Sequence, residues 1–267
     1  MFEEIYHEYL THKNEENRKE RYAGNEDWYH ASGAGLCSRK LYYESIEKAE
    51  PTNPPNKKSM RIMGLGTIVH EDIQNALLYN NINNNINNNT SYEIKEKKEI
   101  PSYKKKSATF KDIKFKVEEE ITIPSFKVRG FYDVFSQDFS ASSTDPLNRL
   151  YDIKTIGAFQ WSLRFSKTKP VQSGHHYLQL GTYGLALKER YGTVDSMALI
   201  YYNKDNSIMR ASVVPLTYID QAKRYWYSIN EEHTNGLPQF RFGTSPVHGW
   251  VCNYCQFKDH CKPPKVF

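Results

Sequence analysis

The 267 residues carry 36 basic and 31 acidic side chains, a formal charge of +5 that suits a nucleic-acid partner without demanding one. An apolar share of 39% suffices for a core. No apolar run approaches the roughly 18 residues of a membrane span, which excludes a helical membrane protein and leaves no membrane partner to expect. The N-terminal stretch MFEEIYHEYL is acidic and lacks a signal-peptide pattern. The expected location is therefore intracellular: the cytoplasm, or the host cytoplasm for a viral chain.

In chain order, residues 2–20 are charged and amphipathic enough for a helix, and 36–45, with aromatics at short spacing, reads as another. Prolines and asparagines make 50–59 a turn or loop. Residues 62–79 read as a helix containing Ile68, Val69, Ile73, Leu77 and Leu78. The asparagine tract 80–90 reads as a low-complexity surface insertion. Strands follow at 91–100, 111–123 and 126–135, the last two joined by a tight turn at Pro124 and Ser125. A polar loop over 137–148 leads to a strand at 150–156. Residues 158–169 interleave aromatic and basic side chains in a loop suited to binding a strand of nucleic acid. A helix over 172–191 is followed by a hairpin, 197–203 with 207–215, and a helix over 218–232. This order describes an α/β or α+β domain with a mixed sheet. No internal repeat interrupts it. The expected organisation is one domain over 1–267, with a helical extension at 1–31 and a cysteine tail at 237–267.

The four cysteines carry the strongest signal. Cys252, Cys255 and Cys261 form a C-x2-C-x5-C run, and Cys37 lies at the other end of the chain. Four thiolates suit a tetrahedral zinc or an iron–sulfur cluster. In an intracellular chain, ligands are a better reading than disulfides. With Cys37 as fourth ligand, one cofactor would tie the two ends together.

Between those ends lie the residues for chemistry. Asp152 and Lys154 are two apart on a strand and share a face. Asp133, late in a neighbouring strand, can approach them. Two carboxylates offer oxygen ligands for Mg²⁺ or Mn²⁺, and a lysine beside them can neutralise charge on a phosphate. Taken alone, the D-x-K triplet reads first as a solvated strand face. His70, one helical turn past Gly66, can supply a nitrogen ligand or pack half-buried. Gln179 and Tyr183 share a helix face. The run Glu118, Glu119, Glu120 reads as solvent-facing.

The ordered set Cys37, Gly66-x-x-x-His70, Asp133, Asp152-x-Lys154, Gln179-x-x-x-Tyr183 and Cys252-x-x-Cys255-x5-Cys261 resembles the RecB-like branch of the PD-(D/E)XK nucleases. Within it, the chain is similar to Cas4-type and AddB-type nucleases with a four-cysteine [4Fe–4S] cluster. The resemblance implies a restriction-endonuclease-like core, a central mixed β-sheet flanked by helices, with the C-terminal cysteine tail closing an iron–sulfur site. It implies a metal-dependent DNA exonuclease acting on single strands, from a 5′ end in many relatives. His70, Asp133, Asp152 and the carbonyl of Ile153 would hold Mn²⁺ or Mg²⁺. Lys154 would be catalytic, supported by Gln179 and Tyr183. Cys37, Cys252, Cys255 and Cys261 would hold the [4Fe–4S] cluster. Its partners would be DNA and a further copy of the chain, a helicase, a recombination protein or a CRISPR integrase. The rival expectation is a non-catalytic DNA-binding or scaffold subunit of a recombination, replication or CRISPR adaptation complex. One departure stands out: Asp152 takes a place where glutamate is more usual in Cas4-type proteins.

Overall fold

The computed structural model describes residues 1–22, 27–86, 110–142, 144–168, 173–241 and 249–261. The expected strand at 91–100 lies outside them. Helix α1 spans Phe2–Tyr22, strand β1 Tyr29–His30, helix α2 Ser38–Ser45 and helix α3 Lys57–Ile86. Strands β2, β3 and β4 span Ile113–Ile123, Val128–Asp138 and Leu147–Ile156. Helices α4 and α5 span Ala158–Arg164 and Gly174–Tyr191. Strands β5 (Ser196–Asn203) and β6 (Met209–Val214) precede helix α6 (Thr217–Thr234).

Among the described residues, six strands form one mixed sheet in the order β1-β3-β4-β5-β6, with β2 paired to β3. β3 is the branch point. β2 runs antiparallel along one of its edges, while β1 (parallel) and β4 (antiparallel) share the other. β4 and β5 are parallel, so the chain must cross over between them, and α4 and α5 make that crossing. The β5–β6 hairpin closes the far edge.

Two sequence expectations need revision. The helix expected at 62–79 is longer at both ends and runs through the first asparagines to Ile86. Asparagine is a poor helix former, but the helix is already nucleated by apolar turns upstream and elongation costs little per residue. Residues 158–164 form α4 rather than a loop, because Trp161 and Phe165 turn onto the core and leave Phe159 outward, 71% exposed.

α5 is pressed between the sheet and α6, and small residues set the spacing. A Cβ at Gly184 would stand 2.9 Å from Met197 Sδ on β5 and 3.0 Å from Ile219 on α6. The fully buried Trp226 of α6 donates its Nε1–H to Thr182 Oγ1 at 2.9 Å, so the indole is packed without losing its hydrogen bond.

Residues 52–53 and the cysteine segment 253–257 meet beside α2. Asn53 Nδ2 donates to the carbonyls of Asn253 and Cys255, each at 3.1 Å. The backbone N–H groups of Thr52 and Asn53 both donate to the Gln256 carbonyl. Phe257 is 3% exposed and packs on Tyr43 with ring centroids 6.0 Å apart. Protein contacts hold the tail. Phe257→Ala is expected to remove about 3 kcal/mol of local stability. Limited proteolysis should then cut the tail faster while the sheet stays protected.

A neutral histidine fastens α6 to β1 and α2. His233 Nδ1 lies 2.7 Å from the Tyr29 hydroxyl, and Nε2 lies 3.0 Å from Ser38 Oγ. Ser38 Oγ in turn donates to Glu232. A neutral ring accepts from Tyr29 and donates to Ser38, so every group is satisfied. Burial lowers the proton affinity of His233, and burial followed by the nearby Lys154 charge lowers that of His176 to about 2. Folded-state pKa values below the unfolded value near 6.5 mean that the unfolded chain takes up these protons first. The histidine contribution is whole above about pH 6.5 and is lost as pH falls. Each histidine then costs up to about 1.4 kcal/mol per pH unit. Thermal unfolding at pH 5.5 should therefore start clearly below that at pH 7.5.

Candidate active site

The site lies where β4 parts from β3. The two strands pair from Asp138 with Leu147 as far as Val134 with Tyr151, and the ladder stops there. One step further, the Asp133 carboxylate takes the place of a backbone acceptor. Its Oδ2 accepts the Ile153 N–H at 2.6 Å. The fork thus fixes Asp133 on one strand against Ile153 on the other, with Asp152 and Lys154 on either side of that amide.

Asp152 is fully buried and is met by two groups. Lys154 Nζ lies 2.7 Å from its Oδ2, and Gln179 Nε2 lies 3.4 Å from its Oδ1. The Lys154 contact is an ion pair rather than an aligned hydrogen bond, since Oδ2 has no partner of proper geometry. The ammonium donates instead to Gln179 Oε1 at 3.1 Å. Tyr183, one turn along α5, lies 3.0 Å from Gln179 Nε2 and holds the amide in place. Burial, then the charges of Asp152 and Asp133, raises the Tyr183 phenol well above its usual range, so it stays protonated.

α3 closes the other side. Gly66 permits the approach, because a Cβ there would stand 3.0 Å from Thr155 Oγ1. His70 Nδ1 lies 3.5 Å from Asp133 Oδ2. Burial lowers the proton affinity of His70, against the pull of Asp152, so the ring is neutral near pH 7. Burial and then the neighbouring Asp152 charge raise the Asp133 carboxyl well above the carboxylate range, partly offset by Lys154 and the Ile153 amide.

The structure therefore brings together His70, Asp133, Asp152, Ile153, Lys154, Gln179 and Tyr183. It also adds Gln74, which the sequence reading missed. Gln74 is 5% exposed and donates Nε2 to the Asp133 carbonyl at 3.1 Å and to Glu118 Oε1 at 2.8 Å. Its only sequence signal is its place one turn beyond His70 on the same face. The glutamate run divides accordingly. Glu118 turns to the site, while Glu119 accepts from the Tyr132 hydroxyl at 2.6 Å.

The metal expectations are corrected. Among the described residues, no group of three or more histidine, cysteine, aspartate or glutamate side chains is arranged to hold a metal ion. At the fork the reason is visible. Asp133 is turned to the Ile153 amide and Asp152 to Lys154 and Gln179, so the two carboxylates do not converge with His70 on one point. The expected Mn²⁺ or Mg²⁺ ligand set of His70, Asp133, Asp152 and Ile153 is not formed.

The [4Fe–4S] site expected from Cys37, Cys252, Cys255 and Cys261 fails the same test, and with it the closure of the fold by an iron–sulfur tail. All four are free thiols. They lie within electrostatic reach of one another, and burial raises the Cys255 and Cys261 thiols. Cys261 packs with Tyr43 and Phe257 as an apolar residue. Arg39, 8% exposed, is buried beside these cysteines.

A mixed sheet flanked by helices, with an aspartate, a D-x-K triplet and a Q-x-x-x-Y helix meeting at a strand fork, defines a restriction-endonuclease-like fold. The chain belongs to the PD-(D/E)XK nuclease superfamily, whose family model matches residues 31–262. Among solved structures, the crystal structure of SSO0001 is similar, with a TM-score of 0.52 and 18% identity over 100% of both chains. At that identity the likeness concerns the fold. A comparison with curated proteins gives no match. Among the described residues, no helix is long and apolar enough to cross a membrane.

Proposed function

We propose that the protein is a deoxyribonuclease that hydrolyses phosphodiester bonds at the β3–β4 fork and takes a single strand as substrate. The observation that carries this reading is the Lys154 ammonium, held between the buried Asp152 carboxylate and the Gln179 amide. Asp152 holds the lysine as an ion pair and Gln179 aims it. A phosphate oxygen gaining negative charge during attack meets a fixed cation that needs no reorganisation. Asp133 and the neutral His70 form the proton-accepting side. Water attacks phosphorus and gives up a proton there. The bond to the leaving oxygen breaks, solvent protonates that oxygen, and the products are a phosphate monoester and an alcohol.

The single-strand preference is supported by α4, which begins four residues past Lys154 and presents Phe159 outward at 71% exposure. An exposed ring beside the reacting centre can stack an unpaired base, worth about 1–3 kcal/mol. The test is cleavage of end-labelled single- and double-stranded DNA, with circular single strands alongside and divalent cation both supplied and withheld. Faster loss of the linear single strand supports the reading, and the product ladder reads out end preference and metal requirement together. Binding without cleavage under every condition would leave a DNA-binding subunit instead.

A further inference from the structure

Among the described residues, four other than glycine have positive φ: Lys48, Glu118, Lys127 and Ser207. Only Glu118, at φ 50°, lies inside a strand. A left-handed conformation there is costly for a side chain with a Cβ, and such residues persist where the surroundings impose them. The place is informative. The β2–β3 ladder pairs Val117 with Val134 and Glu119 with Tyr132, and it skips the step between Glu118 and Asp133. At the skipped step the Asp133 carbonyl is taken by Gln74, whose Nε2 also donates to the Glu118 carboxylate. An amide nitrogen has two N–H donors, and both are used on this gap.

We propose that Gln74 and Glu118 are a positioning pair that sets the main chain of Asp133 at the reacting centre, an inference that rests on the hydrolytic reading of the site. Glu118 fixes the amide of Gln74 from the exposed side. Gln74 then grips the Asp133 carbonyl from the buried side. The grip replaces a regular ladder contact with a side chain delivered by α3, the helix that also carries His70. The carboxylate of Asp133 is thereby presented to Ile153 and His70 from a defined backbone position. Neither Gln74 nor Glu118 needs to touch the substrate for this.

Three variants separate positioning from bulk stability, each followed by melting temperature and by kcat and KM on end-labelled single-stranded DNA. Glu118→Gln keeps an acceptor for Gln74 and should leave kcat within about twofold of the unmodified protein. Gln74→Glu is isosteric, loses both donors and opposes Glu118. Its melting temperature should fall, and kcat should drop about tenfold or more while KM stays within about twofold. The double variant, Gln74→Glu with Glu118→Gln, restores the side-chain pair with its polarity reversed but offers no donor to the Asp133 carbonyl. It should regain its melting temperature and keep the low kcat. Recovery of kcat together with stability would overturn the proposal, because the pair would then be only structural. An unchanged kcat in Gln74→Glu would also overturn it. Absence of cleavage by the unmodified protein would instead remove the hydrolytic reading itself, and this inference with it.

Discussion

Replacing Lys154 with methionine is expected to slow cleavage by about a hundred- to a thousandfold, with little change in KM. Methionine keeps most of the stem and removes the charge. The substituted position contributes to the ground-state complex mainly as bulk, so the loss falls on the step in which the phosphate gains charge. The variant also leaves the fully buried Asp152 without its cation. An unpaired buried carboxylate costs about 3–5 kcal/mol unless it takes up a proton. A lower melting temperature would therefore accompany the lower rate and could be mistaken for its cause. Combining Lys154→Met with Asp152→Asn removes the stranded charge. The pair of changes should recover stability and recover none of the activity.

The second large effect is on the fold. In Gly181→Ala the new Cβ would stand 2.2 Å from the Tyr218 carbonyl oxygen and 2.7 Å from its carbonyl carbon. These are backbone atoms at the start of α6, so no flexible side chain can yield. Either α6 shifts away from α5 or the chain fails to fold. A shift would also disturb the Trp226 hydrogen bond to Thr182 one residue along α5. The expected cost is about 3 kcal/mol, enough to be seen as a much lower melting temperature or as loss of soluble protein. Gly174→Ala is the control. Nothing lies within 4 Å of a Cβ at Gly174, and that variant should melt close to the unmodified protein.

The sheet was largely legible because period-two apolar patterns and turn residues mark β2, β3, β5 and β6. The site was legible as an ordered set of motifs. What could not be read was the fork. Nothing in the residues around Asp133 or Ile153 says that β4 leaves β3 there, since that depends on how the Asp133 carboxylate satisfies the Ile153 amide. The metal expectations failed at this level. Carboxylates at the right positions in sequence are turned to a lysine and an amide in space. Likewise, cysteine spacing sets which thiols can approach, while the packing of Cys261 against Tyr43 and Phe257 sets their surroundings. Gln74 escaped notice because its partners are a main-chain carbonyl on β3 and a glutamate that reads as a surface residue. α4 escaped notice because aromatic and basic residues in alternation suit a binding loop as well as a short helix.

The most direct measurement is cleavage of end-labelled single-stranded DNA in water enriched in the heavy oxygen isotope, with the unmodified protein and Lys154→Met assayed side by side. One heavy oxygen is expected in the phosphate monoester that each cleavage by the unmodified protein creates, and almost no product is expected from a folded Lys154→Met protein. Equal amounts of labelled product from both proteins would contradict the assignment of the reaction to this site. New phosphate monoesters without the heavy oxygen would contradict hydrolysis.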